Sequence, residues 1–247
     1  MDWRNKISWD HEDQLYAPKR KVHNKGSREF NHVIGSIPSR KMSRHISYES
    51  LWGEGLFYYF LEIDPLTVRY YPQPVIVHHQ KVNRQFVLEK KEHVPDTLVF
   101  RRGSVPHLFQ IKGGDEIIEQ QPHLYRACLD YCNERGWKYS VERPKTLPKV
   151  VKDNLQIIMH FKNPRVDYPL WIPEILKKMA YYENPTVDYL ARSFSAKTDF
   201  RNILPAIYHL IFLGELSTNI LAPIGPSSVV RLGDLSQELL PYVGIGE

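Results

Sequence analysis

HVPDTLVFRRGSVPHLFQIKGG, residues 93–114, holds two apolar runs on either side of a Gly-Ser break. Such runs, bounded by turn residues, predict two strands over about 94–101 and 106–112. A simple hairpin needs no acid at its mouth and no amide or amine near its end. Yet Asp96 follows Val94-Pro95, and Gln110 and Lys112 sit two apart before Gly113-Gly114. Strand alternation puts Gln110 and Lys112 on one face and Phe109 and Ile111 on the other. The turn then decides whether the polar residues meet. A strict two-residue turn at Gly103-Ser104 would pair 102 with 105 and set Asp96 opposite Ile111, on the wrong face. A three-residue connection, Gly103-Ser104-Val105, sets Asp96 opposite Lys112 with Gln110 diagonal to it. Pro106 also lacks the N–H that regular pairing after the turn would use. An odd-length loop or a bulge between Arg101 and Leu108 is therefore expected, with Gly103 at positive φ.

Upstream, residues 48–61 (YESLWGEGLFYYFL) have helical spacing, weakened by Gly53 and Gly55. Residues 68–79 read as an edge or bent strand interrupted by Pro72 and Pro74, and 86–89 as a short strand. Downstream, 119–135 predicts a helix closed by Gly136, and 137–142 a further strand. This order suits an α/β fold, a mixed sheet with helices on its faces. RPKTLPK, residues 143–149, with two prolines and three basic residues, is the linker candidate. Beyond it the pattern is helical: 150–161, 169–182, 186–194 with Asn184 as N-cap and Pro185 at the first helical position, and 199–213 ended by Gly214. Strands over 216–222 and 229–232 flank the loop PIGPSS. Helices followed by a two-stranded wing describe a mainly helical, winged-helix-like C-terminal domain. The expected division is a basic arm over 1–45, a sheet domain over 46–148 and the helical domain over 149–247.

A chain of 247 residues is long enough for one large domain or two modest ones. Its 42% hydrophobic and 25% charged residues argue for a soluble globular protein, and no apolar stretch approaches the roughly 18 residues of a membrane span. MDWRNKISWDHEDQ has no apolar core behind its charges, so no secretory signal is expected. Cys128 and Cys132, spaced i,i+4, read as buried thiols of a protein in the reducing cytoplasm, since a metal site would need more Cys or His beside them. The net charge of +5 sits in residues 1–45, which hold ten Lys/Arg against five Asp/Glu, leaving 23 of each in the rest. PKRKVHNKGSR, residues 18–28, is either a solvated tail or an arm that tracks a phosphate backbone.

An acid beside a polar strand face is what a divalent-metal site on a sheet requires. Asp96 would offer oxygen to a hard cation such as Mg²⁺, Gln110 a weaker neutral oxygen, and Lys112 a charge near an attacking water or a phosphate. A second acid is needed, and Glu54 is the candidate, set among Leu51, Trp52, Phe57 and Tyr58 where a carboxylate needs a partner or an ion. Each residue also has a plain structural reading: Asp96 capping a turn, Lys112 snorkelling, Glu54 facing water. Trp52, Tyr70, Tyr71, His78 and His79 read as core aromatics or as stacking groups for a distorted DNA end. The 199–213 helix has only Arg201 and His209 beside Asn202, thin for a major-groove reader, so docking to a protein is as good a role for the C-terminal domain.

The order Glu, then Pro-Asp, then Gln-Ile-Lys resembles the restriction-endonuclease-like nucleases, whose usual pattern is Pro-Asp followed by Asp/Glu-x-Lys. More specifically, GSIPSRKMSRHISYESLWGE (35–54), LEIDPLTVRYYPQPV (61–75), VPD (94–96) and QIK (110–112) together are similar to TnsA, the endonuclease subunit of heteromeric cut-and-paste transposases, some of them CRISPR-guided. The resemblance covers about residues 35–115. It implies a DNA endonuclease dependent on Mg²⁺, with Mn²⁺ a possible substitute, that hydrolyses phosphodiesters at the 5′ ends of a transposon. It implies double-stranded transposon-end DNA as substrate, a partner transposase of the TnsB type and an ATPase regulator of the TnsC type. Glu54, Asp96, Gln110 and Lys112 match the family's active-site positions, the first three as metal ligands and Lys112 as the aid to the nucleophile. Glu49 is a second acid near Glu54, but the ten residues from Glu54 to Asp64-Pro65 fit the family better. Gly113-Gly114 stands where Lys-Pro often follows the lysine. A free-standing restriction or repair nuclease and a non-catalytic DNA-binding adaptor are the alternatives on the same fold.

Overall fold

The computed structural model describes Trp3 and residues 6–20, 35–82, 85–111, 121–142 and 147–243. They divide into two compact units, one within residues 1–61, 65–144 and 243–247, the other within 62–64 and 145–242. In chain order the first contains α1 (Asp10–Leu15), the hairpin β1 (Gly35–Ser39) and β2 (Arg44–Tyr48), a π-helical turn at Leu51–Gly55 running into α2 (Leu56–Ile63), β3 (Thr67–Pro72), β4 (Val77–Val82), β5 (Leu88–His93), β6 (Thr97–Arg101), β7 (His107–Ile111), α3 (Pro122–Asn133) and β8 (Lys138–Glu142). Its centre is a mixed four-stranded sheet in the order β3-β6-β7-β8, antiparallel except for the parallel β7/β8 pair. The fold of this unit is therefore α/β, a mixed sheet flanked by helices.

Alternation assigns the two faces. Thr97, Val99, Tyr70 and Phe109 face α2: Tyr58 stacks on Tyr70 at 5.6 Å between ring centroids, and Phe57 meets Phe109 at 5.1 Å. Tyr71, Phe100, Leu108 and Tyr139 point the other way, where Tyr16 meets Tyr71 at 5.3 Å and Trp3 meets Phe100 edge-on at 4.9 Å. Tyr70 and Tyr71 are both fully buried, so their aromatic rings are core. Buried aromatic area on both faces is what holds the sheet.

Several boundaries differ from the sequence reading, each for a local reason. The helix expected over 48–61 starts later, because Tyr48 still belongs to β2 and Ser50 caps the π-helical turn with its hydroxyl, accepting from the Gly53 N–H at 3.2 Å. The strand expected over 68–79 is two strands, broken where Gln73 adopts φ 49° between the two prolines. The first of these, β3, is the sheet edge, the place open to Pro72. The short strand expected over 86–89 is β5, which pairs with β4 along its whole length.

Within the basic arm expected over 1–45, the described residues are built onto the sheet unit at several points. Trp3, Trp9 and Tyr16 pack on Phe100, and Asp13 pairs with Arg69 and accepts from the Tyr71 hydroxyl at 2.8 Å. Residues 35–39 and 44–48 are paired strands. Most of the basic stretch 18–28 lies outside the described residues. Cys128 and Cys132 are free and fully buried on α3, and burial pushes their thiols up to about 11 and about 12.

The second unit holds α4 (Lys149–His160), α5 (Tyr168–Met179), α6 (Val187–Arg192), α7 (Phe200–Phe212), the antiparallel pair β9 (Leu216–Thr218) and β10 (Val230–Leu232), and α8 (Ser236–Val243). The N-cap of α6 is Thr186, whose side chain accepts from the Tyr189 N–H, and not Asn184, which turns the chain at φ 51°. Pro185 instead offers its carbonyl to Val230 N at 2.9 Å, and Thr186 bridges to Val229. Buried Asn154 on α4 ties down the β9–β10 connection: its amide donates to the carbonyls of Ile220 and Ala222, both at 2.8 Å, and its oxygen accepts from Ile224 N at 2.9 Å. Asn154→Leu takes the partner from three backbone groups, two of them in buried bonds, so urea unfolding should show a loss of about 3 kcal/mol. A loss below about 1 kcal/mol would mean that water replaces the amide there.

Candidate functional site

Asp96 lies just before β6, and its backbone is held from two sides. Its N–H donates to the Phe109 carbonyl at 3.1 Å, and its carbonyl accepts from Gln73 N at 2.8 Å. The β6/β7 register pairs Thr97 with Phe109 and Val99 with His107, so it is centred on Gly103. The ladder ends at the Thr97–Phe109 pair, and just beyond it Asp96 lies against Phe109 and Gln110, where the three-residue turn would have set it opposite Lys112. The connection spans residues 102–106, an odd number, and Gly103 takes φ 73° as expected. The register is shifted by two, and the expected convergence on Lys112 falls outside the described residues.

The consequence is direct contact. The Gln110 amide donates to Asp96 Oδ2, which also accepts from the Ile111 N–H at 2.6 Å. Both side chains are buried, Asp96 at 6% exposure and Gln110 at 2%. The other end of the Gln110 amide meets His93 Nε2 at 2.6 Å. An imidazole nitrogen donates or accepts according to its tautomer, so His93 can hold this amide in either orientation. Motif spacing does not single out His93, although it stands three residues before Asp96.

Glu54 comes from the π-helical turn and is 8% exposed. Its Oε2 accepts from the Glu49 N–H at 2.7 Å. Burial, then the charge of Asp96, push its carboxyl up to about 7. Glu49 is different: its carboxylate turns outward to Arg20 at 2.9 Å. Of the two acids, Glu54 is the one brought within electrostatic reach of Asp96. The Asp96 charge is felt on both sides of the sheet end, raising Tyr58 on α2 and also Cys128 and Tyr139 on the opposite side. Lys112 lies outside the described residues.

Two desolvated carboxylates that repel each other are hard-donor chemistry suited to a divalent cation, and the Gln110 oxygen, which here meets His93, would join them once the amide turned over, an orientation His93 can also hold. Among the described residues no three His, Cys, Asp or Glu side chains gather, so a cation here would draw on Glu54, Asp96 and Gln110 with water completing its shell. Glu142 at the end of β8, which pairs with Ile111, is likewise raised to about 7 by burial. His78 is exposed and faces Glu92 at 3.6 Å. In the second unit His209 is buried with Nδ1 2.6 Å from the Phe161 carbonyl, and Arg201 closes on Asp199, which leaves α7 without a basic reading face. Among the described residues no helix is long and apolar enough to cross a membrane. The chain matches no family model and no curated protein.

Proposed function

We propose that the chain is a metal-dependent DNA endonuclease of the TnsA-like kind, acting at the 5′ ends of a transposon as one subunit of a heteromeric transposase. The observation that carries this reading is the buried Asp96–Gln110 pair at the end of a mixed sheet, with a second buried acid, Glu54, raised first by burial and then by the Asp96 charge. Those are three of the four positions that the sequence motif assigns to a restriction-endonuclease-like site. Bound there, Mg²⁺ or Mn²⁺ would supply Lewis acidity toward a phosphodiester and lower the pKa of water. Asp96 and Glu54 would hold the cation, and Gln110 would add a neutral oxygen. The Ile111 N–H fixes one oxygen of Asp96, and His93 orients Gln110. Lys112, one residue beyond the end of β7, would bring a positive charge toward the nucleophile and the phosphate.

The second unit, with its helices, short antiparallel strands and the Thr186–Val229 bridge, supports a winged-helix-like domain. With α7 offering no basic face, we assign it to docking on a TnsB-type transposase or a TnsC-type ATPase, and specificity to those partners. The experiment is to incubate transposon-end duplex with Mg²⁺, with and without both partners, and to map the nicks. Nicks at the 5′ ends that need the partners support the reading. End-specific cutting by the chain alone would make it a free-standing nuclease, and no metal-dependent nick under any condition would make it an adaptor.

The basic stretch would add salt-dependent affinity. Because Trp9, Asp13 and Tyr16 contact the sheet, the test leaves residues 1–20 in place and replaces only Lys21, Lys25 and Arg28 with serine. The slope of log affinity against log salt should fall by up to about 3. An unchanged slope would make the stretch a solvated segment.

A further inference from the structure

The β4–β5 hairpin begins at the candidate site and ends in exposed apolar surface. His93 at its base bonds Gln110 at 2.6 Å, and Asp96 follows three residues later. Cross-strand pairing puts Val77/His93, His79/Lys91 and Lys81/Glu89 on one face, and His78/Glu92, Gln80/Lys90 and Val82/Leu88 on the other. At the far end Val82 is 53% exposed, Leu88 58% and Phe86 91%. Phe86 also adopts φ 59°, a left-handed conformation unfavourable for a residue with a bulky side chain. Packing within the unit does not account for a phenyl ring held out in this way. The surrounding segment KVNRQFVL, residues 81–88, has two basic residues and no acid.

We propose that the β4–β5 hairpin is a DNA-engaging ribbon that lies along the duplex beside the scissile phosphodiester, with Phe86 wedged against a base step. This rests on the nuclease reading and adds to it a substrate contact away from the reacting phosphate. A two-stranded ribbon fits a duplex groove, and apolar side chains at the end of such elements part base steps. Lys81, Lys90 and Lys91, all exposed, outnumber Glu89 and Glu92 on the two strands and leave a positive balance to meet the phosphates. The seven residues from Phe86 to His93 span about 23 Å in extended form, roughly seven base-pair steps from the site. The acid-free tip argues for a polyanion over an undefined protein surface.

The test uses the full chain in EDTA, which separates binding from cleavage, on duplexes carrying 2-aminopurine at successive positions around the mapped nick. Anisotropy reads affinity and 2-aminopurine fluorescence reads unstacking. The proposal expects a fluorescence rise confined to one step roughly seven base pairs from the nick. Phe86→Ala should abolish that rise and weaken binding by about tenfold, with Phe86→Trp retaining both. Melting temperature should not change, because the ring is exposed. Parent-like binding and fluorescence in Phe86→Ala would overturn the proposal, as would failure of the parent to bind duplex. It would also be overturned if Phe86→Ala lost only its association with a partner protein, which would make the tip a protein contact. Phe86-dependent binding by a parent that never nicks would instead remove the nuclease reading and leave the ribbon standing.

Discussion

Glu54→Gln is expected to make the protein more stable at pH 8 in EDTA while abolishing cleavage. Burial, then the Asp96 charge, raise the Glu54 carboxyl from the ordinary 4.5 to about 7. Between those values the folded state keeps a proton that the unfolded chain has released, so stability falls as pH rises through the window. At about 1.4 kcal/mol per pH unit, the loss approaches about 3 kcal/mol above pH 7. Glutamine is neutral and keeps an oxygen for the Glu49 N–H, so the variant escapes that loss. The difference between parent and variant in urea unfolding should be near zero at pH 4.5 and about 2–3 kcal/mol in the variant's favour at pH 8. Taking the difference removes the contribution of Glu142, which titrates in the same range. Added Mg²⁺ should restore stability to the parent and leave the variant unchanged. A parent whose stability tracks the variant at every pH would mean that Glu54 is not a strained buried acid.

Asp96→Asn should lose cleavage by on the order of 10³-fold with the fold retained. Asparagine keeps an oxygen to accept the buried Ile111 N–H but gives up the charge that a cation would need. Asp96→Ala is the less informative change, because it also leaves that N–H and the Gln110 amide without their acceptor, at a cost of about 2 kcal/mol. Single-turnover cleavage of end DNA with partners present is the measurement, with the melting temperature as control. Cleavage within tenfold of the parent by a folded Asp96→Asn protein would sink the assignment of Asp96.

Much of the sheet unit was legible because its signals are local. Apolar runs at 97–101 and 107–111, the Gly136 stop and the positive φ at Gly103 each follow from a few neighbouring residues. Parity alone put Asp96 and Gln110 on one face. Their exact partnership was not legible, because the ladder ends at Val99 and His107 and leaves a wider turn than the dihedral preferences of Gly-Ser imply. The packing of Trp3, Trp9 and Tyr16 was hidden for another reason. It has no period, and depends on Phe100, some 80–100 residues away in the chain. A charge count then reads the same stretch as a tail. His93 escaped notice because its role comes through Gln110, a contact that strand pairing brings about and that motif spacing does not encode.

Mn²⁺ binding followed by electron paramagnetic resonance reads Glu54 and Asp96 as metal ligands with neither DNA nor partners present. One bound Mn²⁺ is expected in the parent. Its affinity should rise by up to tenfold per pH unit below about 7, level off as Glu54 becomes ionised, and drop sharply in Asp96→Asn and Glu54→Gln. Binding that is equal in all three proteins, or absent from the parent at pH 8, would contradict that role for the two acids.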